Sequence, residues 1–221
     1  MKKQYKNILL SYRRCGNHLC RFFIELLSEI PTYGCNGGTQ GDIEIYKNIF
    51  PEDVPFNIKD DYDKNKVFWK YHSPPKENIV VNSLILILRN PREVYAREIN
   101  KDNIPETSYF KNIDFYNNYK GKKIILYYED ILTNKKEFIE TLYNFLELDN
   151  LEKKQYVIDN VDKLYELSSQ GKNRLWQGYI SKGEIDFYFK RINDSEKEKV
   201  DNFLKTKFEK YTFLKDKYTY F

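Results

Sequence analysis

Two basic turns and two histidines hold most of the chemistry available to this chain. The first turn, Arg13-Arg14-Cys15-Gly16-Asn17-His18, follows the apolar run Ile8-Leu9-Leu10 and precedes Leu19, Phe22, Phe23, Leu26, Leu27 and Ile30 at helical spacing. Strand, glycine-containing turn and helix start form a cradle for an anion, because the first backbone N–H groups of a helix point outward along its axis. Arg13 and Arg14 add guanidinium charge, which suits planar oxyanions through paired hydrogen bonds. A second basic turn, Leu88-Arg89-Asn90-Pro91-Arg92-Glu93, has Arg97 one helical turn beyond Glu93. His72 closes the run Val67-Phe68-Trp69-Lys70-Tyr71-His72, and imidazole is the side chain whose ordinary titration lies near neutrality. His18, inside the first turn, is the other histidine.

These groups need elements to hold them. Tyr5 to Tyr12 predicts a first strand, and the residues after Gly16 predict an amphipathic helix. Gly34 to Lys66 is a long polar excursion. Its glycines follow a helix, and no Gly-Lys-Ser or Gly-Lys-Thr closes them, so it reads as a flexible loop rather than a second phosphate loop. Val67 to His72 predicts a strand stopped by Pro74 and Pro75. Leu84 to Leu88, apolar without alternation, suits a parallel strand covered on both faces. Asn90 as N-cap, Pro91 in the first turn and Glu93 completing a box-like cap open a second helix.

Ile124 to Tyr128 predicts a further buried strand, and Asn134 with Glu137 caps a helix whose apolar face is Phe138, Leu142, Phe145 and Leu146. Tyr156 to Leu167 is helical in pattern, whereas Ser168 to Phe189 reads as irregular. Ser195 and Glu198 open a last helix with Val200, Phe203, Leu204 and Phe208 inward. The order β-α-β-β-α-β-α implies an α/β protein with a mainly parallel sheet, and 221 residues suit a single domain over 1–221.

Composition narrows the function classes. With 37 basic and 33 acidic side chains the net charge is +4, too mild to argue for nucleic acid, so anion binding must come from local clusters. The 20 tyrosines read as compositional drift rather than as sugar-stacking sites. Cys15, Cys20 and Cys35 show no Cys-x-x-Cys spacing and leave an odd thiol, which points to a reducing compartment. The only apolar stretch near the start, Ile8 to Leu10, is too short for a signal peptide or a membrane span, and the expectation is a cytoplasmic protein.

Four segments, in this order, resemble the sulfotransferases that use 3′-phosphoadenosine 5′-phosphosulfate (PAPS). Ser11-Tyr12-Arg13-Arg14-Cys15-Gly16-Asn17-His18 resembles their 5′-phosphosulfate loop, typically Thr-x-Pro-Lys/Arg-Ser-Gly-Thr/Asn-Thr. Lys70-Tyr71-His72 resembles the Lys-Thr-His that supplies catalytic groups. Leu88-Arg89-Asn90-Pro91-Arg92-Glu93-Val94 resembles the 3′-phosphate strand and helix and is the closest match; Tyr127-Tyr128-Glu129-Asp130 resembles a Tyr-Glu-Asp before a helix. Ser181-Lys182-Gly183 resembles a late Arg-Lys-Gly loop. The sequence departs from the pattern at Arg13 (for Pro), Cys15 (for Ser), Leu19 (for a stacking aromatic), Arg97 (for Ser) and Ser181 (for Arg).

The resemblance implies a three-layer, P-loop-NTPase-like fold with a mainly parallel central sheet flanked by helices. It implies sulfuryl transfer from PAPS, leaving adenosine 3′,5′-bisphosphate (PAP), to a hydroxyl or amine of a small-molecule or carbohydrate acceptor, without a metal. His72 is then the base, with Lys70 and Arg14 as further catalytic groups. Cofactor contacts fall to Arg13, Arg14, Cys15, Gly16, Asn17, His18, Leu19, Arg89, Arg97, Tyr128, Ser181, Lys182 and Gly183. Arg97 either joins Arg89 at the phosphate or blocks it by pairing with Glu93. Two other readings stand beside this one. A nucleotide kinase or NTPase would need the Lys-Ser/Thr pair that the first loop lacks; a nucleotide-binding module with decayed catalysis is suggested by the substitutions at 13, 15, 19 and 181.

Overall fold

The computed structural model describes residues 4–34, 61–99, 107–175 and 185–218, with backbone alone at 169–175. Its described residues gather into two compact units, Met1–Leu88 with Ser108–Lys182, and Arg89–Thr107 with Gly183–Phe221.

The first unit is built on a five-stranded, wholly parallel sheet. β1 (Gln4–Ser11), β2 (Tyr33–Gly34), β3 (Phe68–Tyr71), β4 (Ile79–Leu88) and β5 (Lys122–Tyr127) lie in the order β2-β3-β1-β4-β5. The central strands read as continuous apolar runs because both faces are covered: Ile8, Leu9 and Leu10 of β1 and Leu84 to Ile87 of β4 expose nothing to solvent. β4 begins five residues before the apolar run that announced it, since Ile79 to Ser83 pair with β1 and β5 although Asn82 is exposed. A register shift at Lys6/Asn7 accommodates a buried polar pair, in which Ser83 Oγ donates to Asn7 Oδ1 at 3.0 Å.

α1 (Asn17–Ser28) buries its Phe22, Phe23, Leu26 and Leu27 stripe as the spacing predicts, and Phe23 meets Phe138 edge-on with ring centroids 5.9 Å apart. It also buries Arg21 and Glu25 completely. Both bond Thr32, whose Oγ1 accepts from Arg21 Nε at 2.6 Å and whose backbone N donates to Glu25 Oε1 at 2.9 Å. This network sets the exit from α1 into β2.

α2 (Pro91–Glu98) belongs to the second unit, and α3 (Ser108–Asn118) packs on β1 and β4. After β5 come α4 (Tyr128–Thr133), α5 (Lys135–Phe145), α6 (Leu151–Asp159) and α7 (Val161–Leu175). Tyr128 opens α4 instead of ending β5, with Glu129 and Asp130 placing negative charge in that helix's first turn. Asn134 does not cap α5. Its Nδ2 bonds the Glu137 carboxylate, side chain to side chain. The helix expected from Tyr156 is two, broken at Asn160, whose side chain donates to the Tyr156 carbonyl at 2.9 Å and competes with the ladder. α7 then runs seven residues past Ser168, where irregular chain was expected. Its buried stripe Val161, Leu164 and Leu167 nucleates the helix, and each added turn costs little afterwards.

In the second unit α8 (Asp194–Lys210) and α9 (Thr212–Lys217) join α2. The box that opens α8 is Asn193 with Glu196, two residues before the expected Ser195 and Glu198. Val200, Leu204 and Phe208 face inward as expected, and Tyr95 of α2 packs on Phe203 with centroids 4.8 Å apart. Arg92 clamps Asp201 with two bonds of 2.6 and 2.8 Å.

Candidate active site

The first basic turn is shaped by two residues with positive φ, Arg14 at 68° and Gly16 at 90°. Gly16 is required there twice. Its backbone lies in the left-handed region, and a Cβ would come within 2.5 Å of the Tyr128 ring. Tyr128 thereby packs against the loop, which brings two separate sequence segments together. Gly16 is also the N-cap of α1 and offers no side-chain acceptor, so the N–H groups of the first turn, Asn17, His18 and Leu19, lie outside the helical ladder. No acidic residue occupies that turn. Arg13 and Arg14 stand exposed beside it, Cys15 is buried, and His18 and Leu19 are half-buried. An anion fits the donor set: outward N–H groups, two guanidinium side chains and no nearby carboxylate of the helix itself.

Ser11, the last residue of β1, links this loop to His72. Its hydroxyl accepts from Asn17 Nδ2 at 2.7 Å, and its carbonyl accepts from His72 Nδ1 at 3.1 Å. A carbonyl can only accept, so Nδ1 carries the proton and Nε2 keeps its lone pair. Burial holds the His72 pKa below the ordinary 6.5, opposed by the Ser11 bond and reinforced by the positive charges of Lys70, Arg13 and His18. His72 is therefore a neutral imidazole at pH 7 with an available base. Lys70, half-buried two residues earlier, belongs to β3 opposite Leu9.

On its other side His72 is held by α3. Ser108 Oγ donates to the His72 carbonyl at 2.6 Å, and Asn112 Nδ2 donates to the same oxygen at 3.3 Å. Neither residue was marked by the sequence, because a serine and an asparagine four apart carry no signal of their own. Ser11 was read only as part of a loop motif.

The second basic turn is organised by Glu93, which is 1% exposed. Its Oε2 lies 3.2 Å from Arg89 Nη2 and 4.0 Å from Arg97 Nη2, while Oε1 accepts from the backbone N of Tyr188 at 2.7 Å and of Phe189 at 2.8 Å. Glu93 thus spends its carboxylate on arginines and a distant turn, not on the cap of α2. Asn90 does cap, accepting from Arg92 N at 2.9 Å, and its amide donates to Asp186 at 2.7 Å. Arg97 additionally lies over the Tyr188 ring, 3.9 Å from its centroid. Both guanidinium groups thus share the one Glu93 carboxylate.

Ser181, Lys182 and Gly183, and most of the loop from Gly34 to Lys66, lie outside the described residues, as do residues 100–106. Among the described residues no cluster of three His, Cys, Asp or Glu side chains is placed to hold a metal, and no helix is long and apolar enough to cross a membrane.

The sequence matches no family model and no curated protein. Solved structures do resemble it. Retinol dehydratase in complex with retinol and PAP aligns over 94% of this chain and 82% of its own, at 16% identity and a TM-score of 0.59. Mouse sulfotransferase SULT7A1 complexed with PAP aligns over 92% and 84%, at 15% identity and a TM-score of 0.56. The parallel sheet, its flanking helices and these neighbours agree on one fold, the α/β fold of the PAPS-dependent sulfotransferases.

Proposed function

Starting from a sulfotransferase fold, we propose that this chain moves a sulfuryl group from PAPS to a hydroxyl or amine of a small-molecule or carbohydrate acceptor, by in-line transfer. The observation that supports the reading is the His72 to Ser11 bond, which ties a neutral imidazole to the end of β1, where the first basic turn begins. PAPS, when bound, supplies the sulfuryl group and a bisphosphate leaving group.

The rest falls to the chain. Nε2 of His72 takes the acceptor's proton as the new O–S or N–S bond forms. Arg14, the N-terminus of α1 at Asn17 and His18, and Lys70 stabilise the negative charge that grows on the leaving end. Arg13, Cys15, Gly16 and Leu19 complete the loop, with Tyr128 supporting Gly16. Arg89 and Arg97 take the 3′-phosphate, and Ser181, Lys182 and Gly183 add to it from the late loop. Displacing part of the Glu93 interaction is the cost of binding there. Cys15 and Cys20, both buried as thiols, fit a reducing compartment, the cytoplasm.

Calorimetry with PAP, adenosine 5′-monophosphate and ATP tests the reading. PAP is expected to bind without a metal and more tightly than the other two. Absence of PAP binding, or ATP binding that depends on Mg²⁺, removes it. Given PAP binding, His72→Ala is expected to lower sulfuryl transfer by about 10²- to 10⁴-fold, the usual contribution of a positioned base; unchanged turnover excludes His72 from that role.

A further inference from the structure

His72 stands one residue past the end of β3, and Pro74 and Pro75 follow within three. Its carbonyl therefore has no strand partner, although a part-buried acceptor still needs donors. Ser108 and Asn112, one turn apart on α3, supply two, so both lone pairs of that oxygen are filled by side chains. Asn112 is 1% exposed and its Oδ1 is buried without a hydrogen bond. An unsatisfied amide oxygen is a burden that an apolar residue of similar size avoids, so its offset must come from the donor end of the same amide, on His72. The imidazole is thus gripped twice: its Nδ1 by the Ser11 carbonyl, and its backbone by α3.

We propose that Ser108 and Asn112 are positioning residues for His72, fixing the backbone from which the imidazole reaches Ser11 and so fixing which ring nitrogen is the base. The proposal rests on the sulfotransferase reading for its catalytic meaning, but its physical content is independent of the reaction. Loosening the grip lets the ring hydrate and exchange tautomers. Because burial outweighs the Ser11 bond in setting the His72 pKa, that pKa moves upward toward 6.5. The titratable groups that face the ring, Arg13 from the loop, His18 from α1 and Lys70 from β3, are left unsubstituted in these variants.

The experiment is ¹⁵N NMR titration of the imidazoles, readable because the chain has 2 histidines, with His18→Gln used to assign them. In the wild type His72 is expected as the Nδ1–H tautomer. In Ser108→Ala/Asn112→Ala it is expected as a mixture with a raised pKa, and Ser108→Thr restores the wild-type pattern by keeping the hydroxyl. Sulfuryl transfer by the double variant falls about tenfold to a hundredfold in kcat, the scale of a small misplacement of a catalytic group, while KM for PAPS stays within about twofold. In a His72→Ala background the same two changes have no further effect on kcat. A folded double variant whose His72 titrates and tautomerises as in the wild type overturns the proposal. If the double variant does not fold, Ser108→Ala alone must show the same direction of change. Failure of wild-type protein to bind PAP overturns the sulfotransferase reading instead and leaves the NMR comparison to decide the positioning claim.

Discussion

At the scale of single residues, one hydrogen bond defines the state of the proposed base. His72 Nδ1 on the Ser11 carbonyl settles the tautomer, and burial keeps the ring neutral. Activity that needs unprotonated His72 is lost only as pH falls through its folded pKa, which lies below 6.5, so the acid limb of kcat against pH should sit below that of a free imidazole. Stability follows the same direction. The unfolded chain binds the proton more readily, so it holds more protons in the window below 6.5, and His72 makes folding less favourable as pH drops through it. Denaturant melts of wild type and His72→Gln across that window should converge on acidification. Gly16 gives a second residue-level outcome. Gly16→Ala meets both the positive φ and the Tyr128 ring, and should cost more than about 1 kcal/mol in a thermal melt, where a strain-free Gly→Ala would stabilise.

At the scale of elements, the caps separate pattern from geometry. Asn193 and Glu196 form a reciprocal box at the start of α8, so Asn193→Ala should lower stability by about 1 kcal/mol. Asn134 has an equally good sequence signature, followed by Glu137, yet its side chain makes no bond to the α5 backbone. Asn134→Ala should therefore change the melting temperature little. Thermal melts of the two variants side by side check the contrast. Strands were more legible than helix ends. Ile8 to Leu10 and Leu84 to Leu88 announced buried parallel strands through unbroken apolar runs, because both faces of such a sheet are covered. Tyr128 was misplaced because an aromatic residue after an apolar strand has the same pattern whether it continues the strand or starts a helix.

At the scale of the whole molecule, each unit carries one of the two anion-binding candidates, and the second is held together by Glu93. That carboxylate receives two arginines of its own helix region and two amides nearly a hundred residues away. Glu93→Ala removes four interactions of a buried charge, and hydrogen exchange at the Tyr188 and Phe189 amides should accelerate strongly, since breaking a buried pair costs about 3–5 kcal/mol. Glu93→Gln keeps an oxygen for those amides and should accelerate them less. Equal exchange in Glu93→Ala and wild type would show that the turn is held elsewhere.

The sequence alone determined the α/β class and the two basic turns, because each depends on local spacing: apolar runs, glycine in a tight turn, arginine beside a helix start; His72 was singled out by the resemblance of Lys70-Tyr71-His72 to a family motif. It also posed the question of whether Arg97 pairs with Glu93, since i and i+4 share a helix face. Tertiary structure decided what spacing cannot reach. It brought Ser11 from β1 and Ser108 and Asn112 from α3 around His72, set Tyr128 on Gly16, and gave Glu93 to Tyr188 and Phe189. These contacts join residues that are 36 to 112 apart in the chain, where no periodicity relates them. The tautomer of a histidine depends on which carbonyl the folded chain carries past it, and that is a property of packing.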